Sequence, residues 1–135
     1  MQSNLITKIK ELNLPEGQYM ICGSAILDIL GIRPAKDIDL LVTPELFEDL
    51  KKNQGWEPHS KYSTTISHPQ GLADAKQTLD FMKENHTFAQ SLEKATFIEG
   101  IPFMGLEFLI EAKKQLNREK DIADIETINE YMESN

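Results

Sequence analysis

A chain of 135 residues is the usual size of one domain and is long enough to bury a core. Its formal net charge of -8 excludes a protein that grips nucleic acid mainly through a general basic surface, yet leaves room for a local basic pocket around one triphosphate. No apolar run approaches the roughly 20 residues that cross a bilayer, and Met1 to Lys10 is charged and amphipathic, unlike a signal-peptide core.

Leu5, Ile6, Ile9 and Leu12 recur at helical spacing until Asn13-Leu14-Pro15-Glu16-Gly17 breaks the pattern. Gln18 to Cys22 is a short, almost continuous apolar run stopped by Gly23, which predicts a buried strand. Cys22 is the lone cysteine, so an internal disulfide is excluded and a reducing, cytoplasmic setting is expected. Ser24 then opens a helix over Ala25–Leu30 that Gly31 ends. Asp37 to Val42 reads as a second strand, and Thr43-Pro44-Glu45-Leu46 as an N-cap, a first-turn proline and a helix that fades near Asn53-Gln54-Gly55. Glu57 to Ala75 is polar and predicts a weakly specified hairpin or loop, followed by a third main strand over Thr78–Met82. A short helix over Phe88–Lys94 and a hairpin turning at Glu99-Gly100 come next. Leu106 to Met132 is helical, with a break near Asn117-Arg118. The fold class is therefore α/β (α+β), one domain with a mixed sheet flanked by helices and a C-terminal helical segment.

Alternation along a strand puts Asp37, Asp39 and Leu41 on one face and Ile38, Leu40 and Val42 on the other. Two carboxylates beside apolar neighbours are costly unless compensated, and hard oxygen ligands suit Mg²⁺, with Mn²⁺ an alternative. The competing account makes Asp37 a turn residue and Asp39 an edge charge. Gly23-Ser24 stands where a buried strand passes into a helix, so its backbone can approach an anion closely and Ser24 can offer a hydroxyl to a phosphate oxygen or simply cap its helix. Arg33 and Lys36 lie between this turn and Asp37, either as phosphate partners or as solvated loop charges. Asp80, between Leu79 and Phe81, would complete a three-carboxylate cluster if its strand neighbours that of Asp37 and Asp39. Two ions about 3.5–4 Å apart would then clamp an in-line phosphoryl displacement. Asp74 is a rival for that position, although Leu72-Ala73-Asp74-Ala75-Lys76 reads as a turn or helix end. His59 and His68 predict exposed loop histidines, and Trp56 a core side chain.

The order strand, Gly23-Ser24, helix, Asp37-x-Asp39 and a later Asp80 resembles the DNA polymerase beta-like nucleotidyltransferase superfamily; twelve residues separate Ser24 from Asp37. Leu109-Ile110-x-x-Lys113 and Arg118-x-Lys120-Asp121-x-x-Asp124 are similar to the ending of its small bacterial single-domain members. Ala35 departs from the Thr or Ser that many of them carry two residues before the first Asp. The resemblance, over roughly residues 17–130, implies a minimal nucleotidyltransferase fold. In it Asp37 and Asp39 hold the metals, Asp80 is third ligand or base, and Gly23 and Ser24 contact the triphosphate. Transfer of a nucleoside monophosphate from an NTP such as ATP to an acceptor hydroxyl of a small molecule, RNA or protein, with release of pyrophosphate, is the expected activity. The alternative is a regulatory binding module without turnover, such as one partner of a toxin–antitoxin pair. Lys113 is the C-terminal residue best suited to reach a phosphate; on one continuous helix, Lys113, Asn117, Lys120 and Asp124 would share a narrow polar stripe, or they would simply pair as surface charges.

Overall fold

The computed structural model describes residues 4–62, 64–79 and 86–134. Along these residues the chain forms α1 (Asn4–Glu11), β1 (Tyr19–Cys22), α2 (Ala25–Ile29), β2 (Asp39–Val42) and α3 (Pro44–Asn53). Short strands β3 (Glu57–Pro58), β4 (Ile66–Ser67), β5 (Asp74–Lys76), β6 (Thr78–Leu79) and β7 (His86–Thr87) follow. Then come α4 (Phe88–Leu92), β8 (Ala95–Ile98), β9 (Ile101–Met104), α5 (Leu106–Leu116) and α6 (Glu119–Ser134).

Seven of these strands make one mixed sheet in the order β3-β4-β5-β2-β1-β9-β8, flanked by the helices. β1 runs antiparallel to β2 and parallel to β9, and β2 runs parallel to β5. The central strands are apolar without alternation because both of their faces are covered: Met20 and Ile21 of β1 and Leu40, Leu41 and Val42 of β2 are all buried. Leu5, Ile6 and Ile9 of α1 and Leu46, Phe47 and Leu50 of α3 bury their stripes in the same cluster, joined by Trp56. Among the described residues no helix is long and apolar enough to cross a membrane.

Local chemistry explains the element ends. Thr43 Oγ1 accepts from the Leu46 amide at 3.2 Å with Pro44 at the first helical position, as its sequence predicts. Glu99 and Gly100 both have positive φ, the geometry of a tight two-residue hairpin turn, and β8 pairs with β9 across it. Asn117 ends α5 in the left-handed region, its amide donating to the Lys113 carbonyl at 2.8 Å, so α6 starts in a new direction. The expected break near Asn117-Arg118 is present, so Lys113, Asn117, Lys120 and Asp124 do not lie on one continuous helix.

One expectation is sharpened and one corrected. Of the two alternatives for residues 57–75, the hairpin holds and the loop does not, and the hairpin is better specified than expected, since antiparallel β3, β4 and β5 extend the sheet there. The expected third main strand is displaced. The place beside β2 belongs to Asp74–Lys76, whereas Thr78–Leu79 pairs with β7 in a separate two-stranded sheet. Strands of two or three residues are too short for hydrophobic periodicity to declare them; their neighbours' hydrogen bonds hold them in place.

Candidate functional site

Asp39 opens β2 and so sits where three strands meet. On one side it is in register with Cys22 of β1, and on the other with Asp74 of β5. The sheet thereby brings the turn after β1 and a carboxylate of β5 to the same end of β2. Gly23 follows Cys22 with φ +68°, and a Cβ placed on it would lie 3.1 Å from Asp39 Oδ2. The positive φ favours glycine here, and a larger residue would also have to push the Asp39 carboxylate aside by a few tenths of an ångström.

The electrostatics of this corner are those of a carboxylate short of solvent. Burial raises the Asp39 carboxyl above its ordinary range. The like charges of Asp74 and Asp37 push the same way, while Lys76 and His59 oppose them. Asp37 is exposed on the loop two residues before Asp39, outside the strand itself. Asp74 accepts a hydrogen bond from Ser67 Oγ at 2.6 Å, and His59 Nε2 lies 3.8 Å from its other oxygen. Burial pushes the neighbouring Cys22 thiol up to about 12, which favours the protonated thiol.

Carboxylate oxygens that share an unfavourable, desolvated field are the donors a hard divalent cation takes. Among the described residues no three His, Cys, Asp or Glu side chains converge on one ion. The Asp39 corner fits Mg²⁺ as a partial shell of one or two carboxylates, to be completed by water and phosphate oxygens. Asp80 lies outside the described residues.

Beside the turn runs a chain of ion pairs. Ser24, the residue after Gly23, begins α2 in the αR region, and its side chain makes no capping bond. Its Oγ instead accepts from Arg33 Nη2 and from Lys113 Nζ, both at 3.2 Å. Arg33 grips Asp124 with two prongs, Nε to Oδ1 and Nη2 to Oδ2, each 2.6 Å. Lys113 Nζ lies 2.8 Å from Asp124 and 3.6 Å from Asp121, and Arg118 Nε closes on Asp121 at 2.6 Å. Lys113, Asp121 and Asp124 are all buried. Burial raises the Asp124 carboxyl, but the hydrogen bonds of Arg33 and Lys113 outweigh it and hold it at about 2.

The structure thus brings Gly23 and Asp39 into contact, with Asp37 on the approach and Ser24 and Arg33 in the adjoining network. Lys36 is exposed on the loop before Asp37. Asp74, the rival of Asp80 in the sequence, stands on β5 and not at a turn or helix end, and His59 and Lys76 are the residues that sequence reasoning left out of the site. The alternation Ala73-Asp74-Ala75-Lys76 matches the burial of β5, with the alanines buried and Asp74 and Lys76 partly exposed, but it is too short to declare a strand by itself. His59 offered no signal, since it reaches Asp74 only through the β3–β4–β5 pairing; it is half-buried, not the exposed loop histidine expected. Trp56 is a core residue, its ring edge-on to His68 at 5.3 Å. No family model, no curated protein and no solved structure matches this chain.

Proposed function

We propose that the protein is a metal-dependent nucleotidyltransferase that moves a nucleoside monophosphate from an NTP to an acceptor hydroxyl. The observation that carries this reading is the 3.1 Å approach between the Cβ position of Gly23 and Asp39 Oδ2. A turn able to meet a phosphate chain and a carboxylate able to meet a cation share one spot. In the reaction the acceptor oxygen bonds to the α-phosphorus, the bond from that phosphorus to the bridging oxygen breaks, and pyrophosphate leaves. The acceptor proton passes to a carboxylate, either Asp74, the register neighbour of Asp39, or Asp80, the residue to which the family resemblance gives that role. Asp37 and Asp39 would hold Mg²⁺ or Mn²⁺, and Gly23 and Ser24 the triphosphate. The bound ions supply charge stabilisation at the attacking and leaving oxygens. ATP is the first nucleotide to try.

Calorimetric titration with each NTP, with and without Mg²⁺, tests this. Wild type should bind an NTP only with the cation, and Asp37→Asn and Asp39→Asn should each weaken that binding at least about tenfold. Wild type that binds no NTP, or variants that bind as wild type does, would refute the proposal. Asp74→Asn and Asp80→Asn then separate the two bases by which one abolishes pyrophosphate release.

A further inference from the structure

Ser24 sits at a position where serine ordinarily caps its own helix, and it does not do so here. A hydroxyl has two acceptor sites and one proton to give. Both acceptor sites of Ser24 Oγ are met, by Arg33 Nη2 and Lys113 Nζ at 3.2 Å each. Guanidinium and ammonium groups cannot accept a hydrogen bond, so the proton of Ser24 points away from both. Among the described residues no acceptor takes it: every hydrogen bond found at Ser24 Oγ is one it receives. The two cations are themselves held still. Asp124, buried on α6, binds Arg33 with two prongs and Lys113 with one, and Asp121 backs Lys113 from the turn before. One residue from α5, Lys113, and one from the α2–β2 loop, Arg33, thus converge on a single hydroxyl, with 89 residues of sequence between Ser24 and Lys113, and Asp124 of α6 ties the two together.

Resting on the nucleotidyltransferase reading, we propose that Arg33, Lys113 and Asp124 are positioning residues that fix the Ser24 hydroxyl as a hydrogen-bond donor to a phosphate oxygen of the triphosphate. Arg33 and Lys113 act through Ser24 instead of meeting the nucleotide themselves. The two cations also polarise the O–H bond, which strengthens its donation to an anion.

The test is binding of Mg²⁺–tripolyphosphate by calorimetry, at a temperature where circular dichroism shows each variant folded. Ser24→Ala leaves the Arg33–Lys113–Asp124 pairs in place and should weaken binding roughly tenfold to hundredfold, the worth of a hydrogen bond to a charged group. Ser24→Thr should restore it. Asp124→Asn is the decisive variant because charge and geometry pull in opposite directions. It makes the network more positive, so direct attraction by the cations would tighten phosphate binding, whereas loss of orientation weakens it; about tenfold weaker binding is expected. Where that variant fails to fold, Arg33→Lys keeps the charge but loses the two-pronged hold, and should weaken binding by a smaller factor. Equal or tighter binding by Asp124→Asn, or binding by Ser24→Ala equal to wild type, overturns the inference while the proposed function stands. Wild type that ignores Mg²⁺–tripolyphosphate overturns both.

Discussion

Asp39 carries opposing demands of stability and chemistry on one side chain. Its carboxyl is raised by burial and by Asp74 and Asp37, so the folded protein binds that proton more tightly than the unfolded chain does. A group of this kind favours folding fully below its unfolded value, and the contribution is lost as pH rises through the folded one. At pH 7 the ionised Asp39 therefore works against the fold. Asp39→Asn, equal in shape and uncharged, should melt a few degrees higher than wild type at pH 7 in the presence of a chelator, with the gap closing towards pH 4. Mg²⁺ should raise the melting temperature of wild type and leave that of Asp39→Asn unchanged. Melting curves by circular dichroism read both; a variant less stable than wild type at pH 7 would show that the carboxylate is already well compensated.

At the scale of elements, the C-terminal pair of helices depends on one residue. Asn117 turns the chain with φ 50°, a conformation that asparagine tolerates better than residues with larger or branched side chains. That turn lets α6 place Asp121 and Asp124, eight and eleven residues further along the chain, against Lys113 of α5. Asn117→Ala should cost about 1 kcal/mol, and Asn117→Gly should be neutral or slightly stabilising, as read by urea unfolding at constant m-value. An alanine variant as stable as wild type would mean that the junction is looser than its hydrogen bond implies. Elements of this kind were legible from sequence. The Thr43-Pro44 start, the Glu99-Gly100 turn and the Asn117 break each depend on the side chains within a few residues of themselves. The β3–β4–β5 extension was legible only as a hairpin somewhere in residues 57–75; its strand limits and its docking on β2 were not, because strands of two or three residues hold only by pairing with partners that a local window does not contain.

Over the whole molecule, the two acidic centres respond to pH with opposite sign. Asp124 is held at about 2 and Asp121 is lowered by its hydrogen bonds from Arg118. Depressed carboxyls contribute stability that is present above their unfolded value, near 4, and is lost as pH falls through the folded one. Acid should therefore destabilise the protein progressively between about pH 4 and pH 2, the reverse of the Asp39 contribution. Asp124→Asn should melt lower than wild type at pH 7, by about 2 kcal/mol or more for a buried pair that loses one partner. The difference should shrink towards pH 2, and melting temperatures across pH 2–7 decide it. A wild-type curve flat through that range would mean that the network contributes nothing to the fold.

The amino-acid sequence by itself determined the pieces that short-range physics governs: the buried apolar run of β1, the glycine at its end, the helix caps and turns, and the Asp37-x-Asp39 spacing. Only the tertiary structure decided which distant groups meet. The β2–β5 register puts Asp74 beside Asp39, and the fold-back at Asn117 brings Lys113 and Asp124 to Ser24. Periodicity reports which face of an element is apolar, because burial acts on each side chain separately. Register and long-range ion pairs depend instead on the relative placement of whole strands and helices, and that placement is settled only when all of them pack together.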